Sequence, residues 1–265
     1  MEDILIENNL YLARISYMSG MPEEALKYIE EIIKLKNGII TEEERNIFFS
    51  TLKTLINNRR DSWRTVNALE SKEKKNEASL LPRVTELKLS IEEEMKNFIY
   101  KGLELIETKL LKNANSDELI ILYSKVRGDY LRYLIEIIPK EKKEELNILK
   151  EKADKAYKLG YNLCSKLSDL DTAKIGLILN YTVFMYEVLK DQKNAFTIAN
   201  NTYQKTLKCI NDDNYDLTLL KDLNKLMGLL KENLSKWAEN IEAKNSNIIV
   251  KEGDNKVEEI LSPAS

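Results

Sequence analysis

Residues 41–64 read TEEERNIFFSTLKTLINNRRDSWR and form the clearest helix signal in the chain. Thr41 followed three residues later by Glu44 is a capping box, which satisfies free backbone N–H groups where a helix begins. No glycine or proline occurs before Pro82, so we expect this helix to run to about residue 73. Apolar residues recur on one face at three- and four-residue spacing: Leu52, Leu55, Ile56, Trp63 and Val66.

The rest of the sequence extends this helical pattern. Only 8 of 265 residues are Gly and 4 are Pro, about 5% against a usual share of about 12%, which disfavours β-rich and parallel α/β folds because their many turns need these residues. Apolar residues make up 43%, enough for a packed core. We predict an all-α fold of nine antiparallel helices at about residues 3–18, 22–37, 41–73, 81–111, 117–138, 143–167, 171–190, 192–211 and 216–242.

The organisation predicted from this pattern is one helical domain over residues 1–242 and a flexible polar tail over residues 243–265. No apolar run reaches the 18 or more residues of a membrane span, so none is expected. The acidic start of the chain does not resemble a secretion signal. We expect a soluble protein of the cytoplasm, with the nucleus as a second location.

The composition also limits the chemistry. The chain contains no His, which removes the commonest general base and most zinc and iron sites. Its two cysteines are not in a CxxC spacing and are expected to be buried thiols. The formal net charge is −3, so no general attraction to nucleic acid is expected. We predict a protein that is not an enzyme and that needs no metal or cofactor.

Two charged clusters on predicted helices are the candidate binding residues. Lys53, Arg60 and Arg64 lie at i, i+7 and i+11, which places them within roughly 40° of one another around the helix. A second helix carries a mixed cluster of Lys125, Asp129, Arg132 and Tyr133. An Asp within such a cluster can hold an arginine while its outer N–H groups stay available for an anion. Spacing alone favours the alternative that both clusters are surface ion-pair networks.

Cations and a phenol that converge in this way suit a phosphate group, which carries about −1.5 to −2 charges, better than a carboxylate. Each charge-assisted hydrogen bond contributes about 1.5 to 3 kcal/mol, so binding should weaken by orders of magnitude when the phosphate is absent.

Several longer motifs indicate a family. They are EERN at residues 43–46, RRDSWR at 59–64, GDYLRYL at 128–134, GLILNYTVFMYEVL at 176–189 and NLSKW at 233–237. In order and spacing, the sequence resembles the 14-3-3 family over about residues 3–240. The resemblance implies a cup-shaped domain of nine helices whose inner groove binds phosphoserine or phosphothreonine peptides, usually as a dimer.

The resemblance also assigns roles to individual residues. The phosphate would be held by Lys53, Arg60, Arg132 and Tyr133, with Arg64, Lys125 and Asp129 in support. The peptide backbone would be contacted by Asn180 and Asn233 and bordered by Glu187 and Trp237. The apolar groove wall would be formed by Leu179, Val183 and Leu229. The dimer contact would involve Leu12, Val66 and Leu69.

This sequence departs from the family pattern in places. Lys225 and Lys236 replace leucines of the apolar wall, and Gly228 interrupts the last predicted helix after an insertion of about five residues. Met18 and Ser90 replace members of ion pairs that flank the dimer contact. Exposed ion pairs contribute only about 0 to 1 kcal/mol each, so we expect a homodimer that is weakened or rearranged.

The tail has a candidate phosphorylation site at Ser262, which is followed by proline. A phosphorylated tail could occupy the chain's own groove or that of a neighbour, and the alternative is an inert solubilising tail.

The predicted function is a phosphopeptide-binding signalling adaptor whose partners are phosphorylated client proteins. The alternative is a helical-repeat scaffold that binds unphosphorylated peptides or helices. A carboxylate-bridged metal enzyme is a third class, which the absence of His argues against.

Overall fold

A computed structural model describes residues 2–76, 79–212 and 221–260. Within these residues the structure contains nine α-helices and no β-strand, which confirms the predicted fold class. The chain divides into two compact units at the junction between Leu163 and Cys164. The predicted domain of residues 1–242 stays a prediction, and the two units are described separately below.

The first unit contains six helices. They are α1 (Glu2–Met18), α2 (Pro22–Leu35), α3 (Glu42–Asn76), α4 (Leu81–Leu105), α5 (Asp117–Ile137) and α6 (Lys143–Tyr161). A π-helical turn, Ile106–Leu110, and a 3-10 turn, Leu111–Asn113, extend α4. Each helix packs against the next one along the chain, as expected for helices joined by short connections.

The second unit contains α7 (Thr172–Phe184), α8 (Gln192–Asp212) and α9 (Lys221–Ile260), which pack against one another. A π-helical segment, Met185–Leu189, continues α7. The backbone of α9 extends past residue 242, where the sequence placed the start of the tail. The flexibility of that tail stays a prediction.

Side-chain caps determine where several helices begin. Thr41 and Glu44 form the predicted reciprocal pair, since the Thr41 N–H donates to Glu44 Oε2 at 2.7 Å and the Glu44 N–H donates to Thr41 Oγ1 at 3.2 Å. Asp171 accepts from the backbone N–H groups of residues 173 and 174 at the start of α7. The end of α6 also differs from the prediction: α6 ends at Tyr161 rather than at residue 167, and a separate 3-10 turn over Cys164–Lys166 follows it.

The core of the first unit is apolar and closely packed. Fully buried side chains include Ile29, Phe48, Ile56, Met95 and Ile99. By contrast, the buried face of α1 carries only small or polar residues, namely Asn9, Ala13 and Ser16. Most of the large apolar side chains of this helix are exposed: Ile4, Leu5, Tyr11, Leu12, Ile15, Tyr17 and Met18. The large apolar residues of α1 therefore contribute little to the core.

Candidate functional site

The two arginines of the candidate phosphate site meet at one aromatic ring. Arg60 comes from α3 and Arg132 from α5, and each places its guanidinium carbon over the ring of Tyr133, at 4.4 and 5.0 Å from the ring centre. Both side chains are only 17% exposed. A guanidinium on an aromatic face is stabilised by the negative charge of the ring face. Residues 72 positions apart are thus brought together on the surface of one unit.

Glu136, one helical turn beyond Arg132 on α5, joins the two arginines of α3. Arg60 Nε donates to Glu136 Oε2 at 2.6 Å, and Arg64 Nε donates to Glu136 Oε1 at 2.7 Å. The carboxylate therefore accepts a charge-assisted hydrogen bond on each oxygen. Arg64 itself is half exposed, whereas Glu136 is three-quarters buried.

Asp129 anchors the α5 side of the cluster. Its Oδ2 accepts from Lys125 Nζ at 3.1 Å, its Oδ1 accepts from the Tyr157 hydroxyl at 2.6 Å, and Arg132 lies 3.7 Å from Oδ1. Burial raises the pKa of the Asp129 carboxyl, but the charges of Lys125 and Arg132 outweigh burial, so the pKa lies below its ordinary value. Asp129 is therefore ionised near neutral pH and can hold both cations in place.

Arg132 is also constrained by burial. Its Nε atom is buried and makes no hydrogen bond within the part of the chain that the structure describes. Burial lowers the pKa of the Arg132 guanidinium, but the neighbouring Tyr157 and Asp129 outweigh burial and raise the pKa above its ordinary value. The side chain is permanently charged and is not fully satisfied by its protein partners.

Lys53 lies two turns before Arg60 on the same helix and is exposed. It forms no ion pair with any residue in the described ranges. Lys53 on α3 counts with Arg60, Arg64, Lys125 and Arg132 as a fifth cation against the two carboxylates of Asp129 and Glu136. These seven side chains carry a formal net charge of +3. Such an excess of positive charge on a protein whose net charge is −3 favours binding of an anion.

The residues assigned to the peptide backbone and the apolar wall all lie in the second unit. Trp237 of α9 is buried and stacks on Tyr186, with ring centres 4.5 Å apart and planes inclined by 8°. Leu179 is buried, whereas Glu187 and Leu229 are exposed. Asn180, Val183 and Asn233 are half-buried. Their roles toward a peptide stay predictions.

The three departures that concern the groove wall and the last helix lie on α9. Lys225 and Lys236 are exposed, and a Cβ atom added at Gly228 would meet nothing within 4 Å. Of the predicted dimer residues, Leu12 and Leu69 are 40% and 48% exposed, whereas Val66 is only 9% exposed. Ser262 lies outside the described residues.

Sequence reasoning did not identify two partners in the site. Glu136 follows Arg132 by four residues, a helical spacing at which side chains meet, and this spacing could have drawn attention to it. Tyr157 comes from α6, and no local pattern connects it with Asp129.

The described residues contain neither a cluster suited to a metal ion nor a membrane-spanning helix. No group of three or more His, Cys, Asp or Glu side chains is arranged to hold a metal ion there. Among those same residues, no helix is both apolar enough and long enough to cross a bilayer.

Comparison with known proteins gives consistent matches. A family model described as "14-3-3 protein" matches residues 12–238. The chain is 30% identical over 237 residues to "14-3-3 protein 3" of Entamoeba histolytica, covering 87% of this chain and 95% of that protein. It is 31% identical over 239 residues to "14-3-3-like protein GF14 omicron" of Arabidopsis thaliana, covering 87% and 92%. It is 29% identical over 248 residues to "Checkpoint signal transducer rad25" of Schizosaccharomyces pombe, covering 91% and 87%.

Proposed function

This chain belongs to the 14-3-3 protein family, and on that premise we propose that it binds segments of client proteins that carry phosphoserine or phosphothreonine. Family membership supports the broader role of a signalling adaptor or regulator. The finer proposal is that Lys53, Arg60, Arg132 and Tyr133 hold the phosphate, with Arg64, Lys125 and Asp129 in support.

The observation that carries this proposal is the pair of guanidinium groups on the Tyr133 ring. Arg60 and Arg132 come from different helices, and their counter-ions, Glu136 and Asp129, leave the cluster with a net positive charge. A phosphate ester of about −1.5 to −2 charges can accept several charge-assisted hydrogen bonds from such a cluster. A single carboxylate offers fewer acceptors and less charge.

We further propose that residues of the second unit contact the bound peptide. Asn180, Asn233, Glu187 and Trp237 would contact the backbone of the client peptide, and the apolar wall of Leu179, Val183 and Leu229 would contact its side chains. The protein acts by binding rather than by catalysis, and its setting is the cytoplasm. It works as a homodimer through Leu12, Val66 and Leu69.

An array of decapeptides with one central phosphoserine and varied flanking residues, paired with the same peptides carrying serine, tests the proposal. We expect strong retention of phosphorylated peptides, and fluorescence polarisation on the tightest one should show at least a hundredfold preference for its phosphorylated form. Equal binding of both forms would contradict phosphate recognition and would favour the scaffold that binds unmodified peptides.

Substitutions of the proposed phosphate-binding residues test whether these cations bind the phosphopeptide. Lys53→Gln removes an exposed cation without breaking an ion pair, and Arg132→Gln removes a cation that is 17% exposed. Each should weaken phosphopeptide binding about tenfold to a hundredfold. Arg127→Gln is the matched control, because Arg127 lies on the same helix but pairs with Glu107 instead. Wild-type affinity in Lys53→Gln and Arg132→Gln would place the phosphate elsewhere.

A further inference from the structure

Glu136 is the side chain that connects the two arginines of α3 to α5. Each of its carboxylate oxygens accepts from the Nε of a different arginine, at 2.6 Å from Arg60 and at 2.7 Å from Arg64. Both residues lie 72 or more positions away from Glu136 in sequence. The contact is therefore a tertiary link between two helices rather than a pair within one helix.

The hydrogen bonds used by Arg60 leave part of its guanidinium available. Its Nε is bound to Glu136, and its guanidinium carbon lies over the Tyr133 ring, 4.4 Å from the ring centre. Its terminal Nη atoms make no hydrogen bond among the residues that the structure describes. Since all N–H groups of a guanidinium lie in one plane, holding the Nε edge and the guanidinium carbon in place restricts the direction of the Nη groups.

We propose that Glu136 is a positioning residue of the phosphate site, which holds Arg60 and Arg64 so that the Nη groups of Arg60 are directed toward the ligand. This inference rests on the proposed function, because it assigns a role within the same site. The benefit is preorganisation: an arginine already held in the binding geometry loses less conformational freedom when the phosphate binds. Glu136 need not contact the phosphate to have this effect.

The charge of Glu136 alone would have the opposite effect on phosphopeptide affinity. Glu136 is a carboxylate next to a site for an anion, so it should repel the ligand, and its neutralisation would raise the local net charge from +3 to +4. The two effects can be separated because they change affinity in opposite directions.

Two substitutions at this position test the proposal with the full-length protein. Glu136→Gln retains the shape, but its amide presents an N–H group to one of the two arginines and can accept from only the other. Glu136→Asp retains the charge but withdraws the carboxylate by about 1.5 Å, the length of one carbon–carbon bond. If positioning dominates, both variants should bind the tightest phosphoserine decapeptide of the array about five- to tenfold more weakly.

The matched control is Glu107→Gln. Glu107 accepts from Arg127 Nε at 2.6 Å, so this change removes the same charge from the same kind of arginine pair outside the cluster. We expect it to leave peptide affinity unchanged. Thermal melting of all variants verifies that each is folded before affinity is compared.

A second readout does not depend on the peptide. In the ligand-free protein, the Arg60 and Arg64 Nε–H resonances, assigned by NMR, should shift and broaden in Glu136→Gln but not in Glu107→Gln. Unchanged resonances would overturn the positioning role.

The outcomes distinguish this inference from the function on which it rests. Equal or tighter peptide binding by Glu136→Gln, or wild-type affinity in Glu136→Asp, would overturn the role of Glu136 while leaving phosphopeptide binding intact. Failure of the wild-type protein to prefer phosphorylated peptides would overturn the proposed function and this inference together.

Discussion

At the level of single residues, buried and half-buried carboxylates join cations within and between the helices of the first unit. Asp129 and Glu136 organise the cations of the candidate site, and Glu70 plays a comparable structural part between α3 and α4. The Glu70 side chain is 4% exposed and accepts from Thr85 Oγ1 at 2.8 Å and from Lys88 Nζ at 2.6 Å. A buried charge of this kind is tolerated because hydrogen bonds and opposite charges compensate for its lost hydration.

Glu70 should make stability depend on pH in a defined way. The hydrogen bond from Lys88 lowers the pKa of Glu70, more than burial raises it, from 4.5 to about 2. A lowered folded-state pKa stabilises the protein above pH 4.5, and this contribution is lost as the pH falls from about 4.5 to about 2. We expect Glu70→Gln to reduce the free energy of unfolding at pH 7 by about 1 to 3 kcal/mol in urea denaturation.

The difference between wild type and Glu70→Gln should shrink as the pH falls below 4.5. Glu94→Gln is the control, because Glu94 pairs with Arg59 at the surface and should contribute less than about 1 kcal/mol. A Glu70→Gln effect that is constant from pH 7 to pH 3 would show that the charge of Glu70 is not what stabilises the contact.

At the level of the helices, close approach in the first unit depends on glycine. A Cβ atom at Gly128 of α5 would lie 2.6 Å from the Cε1 and Cζ atoms of Tyr157 on α6. Tyr157 is fully buried and its hydroxyl donates to Asp129, so its ring is not free to move aside. The glycine of the GDYLRYL motif therefore sets the α5–α6 distance that lets Tyr157 reach the candidate site.

Alanine in place of Gly128 and of Gly228 should change the free energy of unfolding in opposite directions. Gly128→Ala should lower the free energy of unfolding by about 1 to 3 kcal/mol, because the clash with Tyr157 exceeds the gain in helix propensity. Gly228→Ala on α9 should raise it by about 0.5 to 1 kcal/mol, because the added methyl group meets nothing within 4 Å. Urea denaturation of both variants measures the signs. A stable Gly128→Ala protein would show that α5 and α6 can separate without cost.

At the level of the whole molecule, the exposed apolar surface indicates self-association. Leu12 and Leu69 are 40% and 48% exposed on α1 and α3, and other large apolar side chains of α1 are exposed beside Leu12. Leaving such side chains in water forgoes about 25 cal/mol for each Å² that could be buried. A second copy of the chain is the partner that family membership suggests.

We therefore expect sedimentation velocity to show a dimer at micromolar concentration. The double variant Leu12→Glu, Leu69→Glu should weaken the dimer at least tenfold, because a charge cannot be buried in an apolar contact without a large desolvation cost. Ile148→Glu is the control, since Ile148 on α6 is also 48% exposed but is outside the predicted contact. A wild-type protein that sediments only as a monomer would contradict the predicted dimer.

Much of the helical framework could be predicted because its causes are local. The capping box at Thr41, the scarcity of glycine and proline, and the three- and four-residue spacing of apolar residues act within a few residues of one another. Helix ends were less predictable: α6 ends six residues before the predicted boundary, where the chain forms a 3-10 turn instead. The helix predicted at residues 3–18 is present as α1, but the sequence did not reveal that most of its large apolar side chains are exposed.

The sequence by itself determined the fold class, the family and which cations belong to the two clusters, because these follow from spacing along individual helices and from motifs read in order. Only the tertiary structure decided that Arg60 and Arg132 share the Tyr133 ring, that Glu136 links both arginines of α3, and that Tyr157 supports Asp129. The hydrogen bonds among them join residues 28 to 76 positions apart. Arg132 is next to Tyr133 in the sequence, but it shares the ring with Arg60 only because α3 and α5 meet there. These contacts exist because packing of the apolar helix faces brings together polar edges that no local pattern relates.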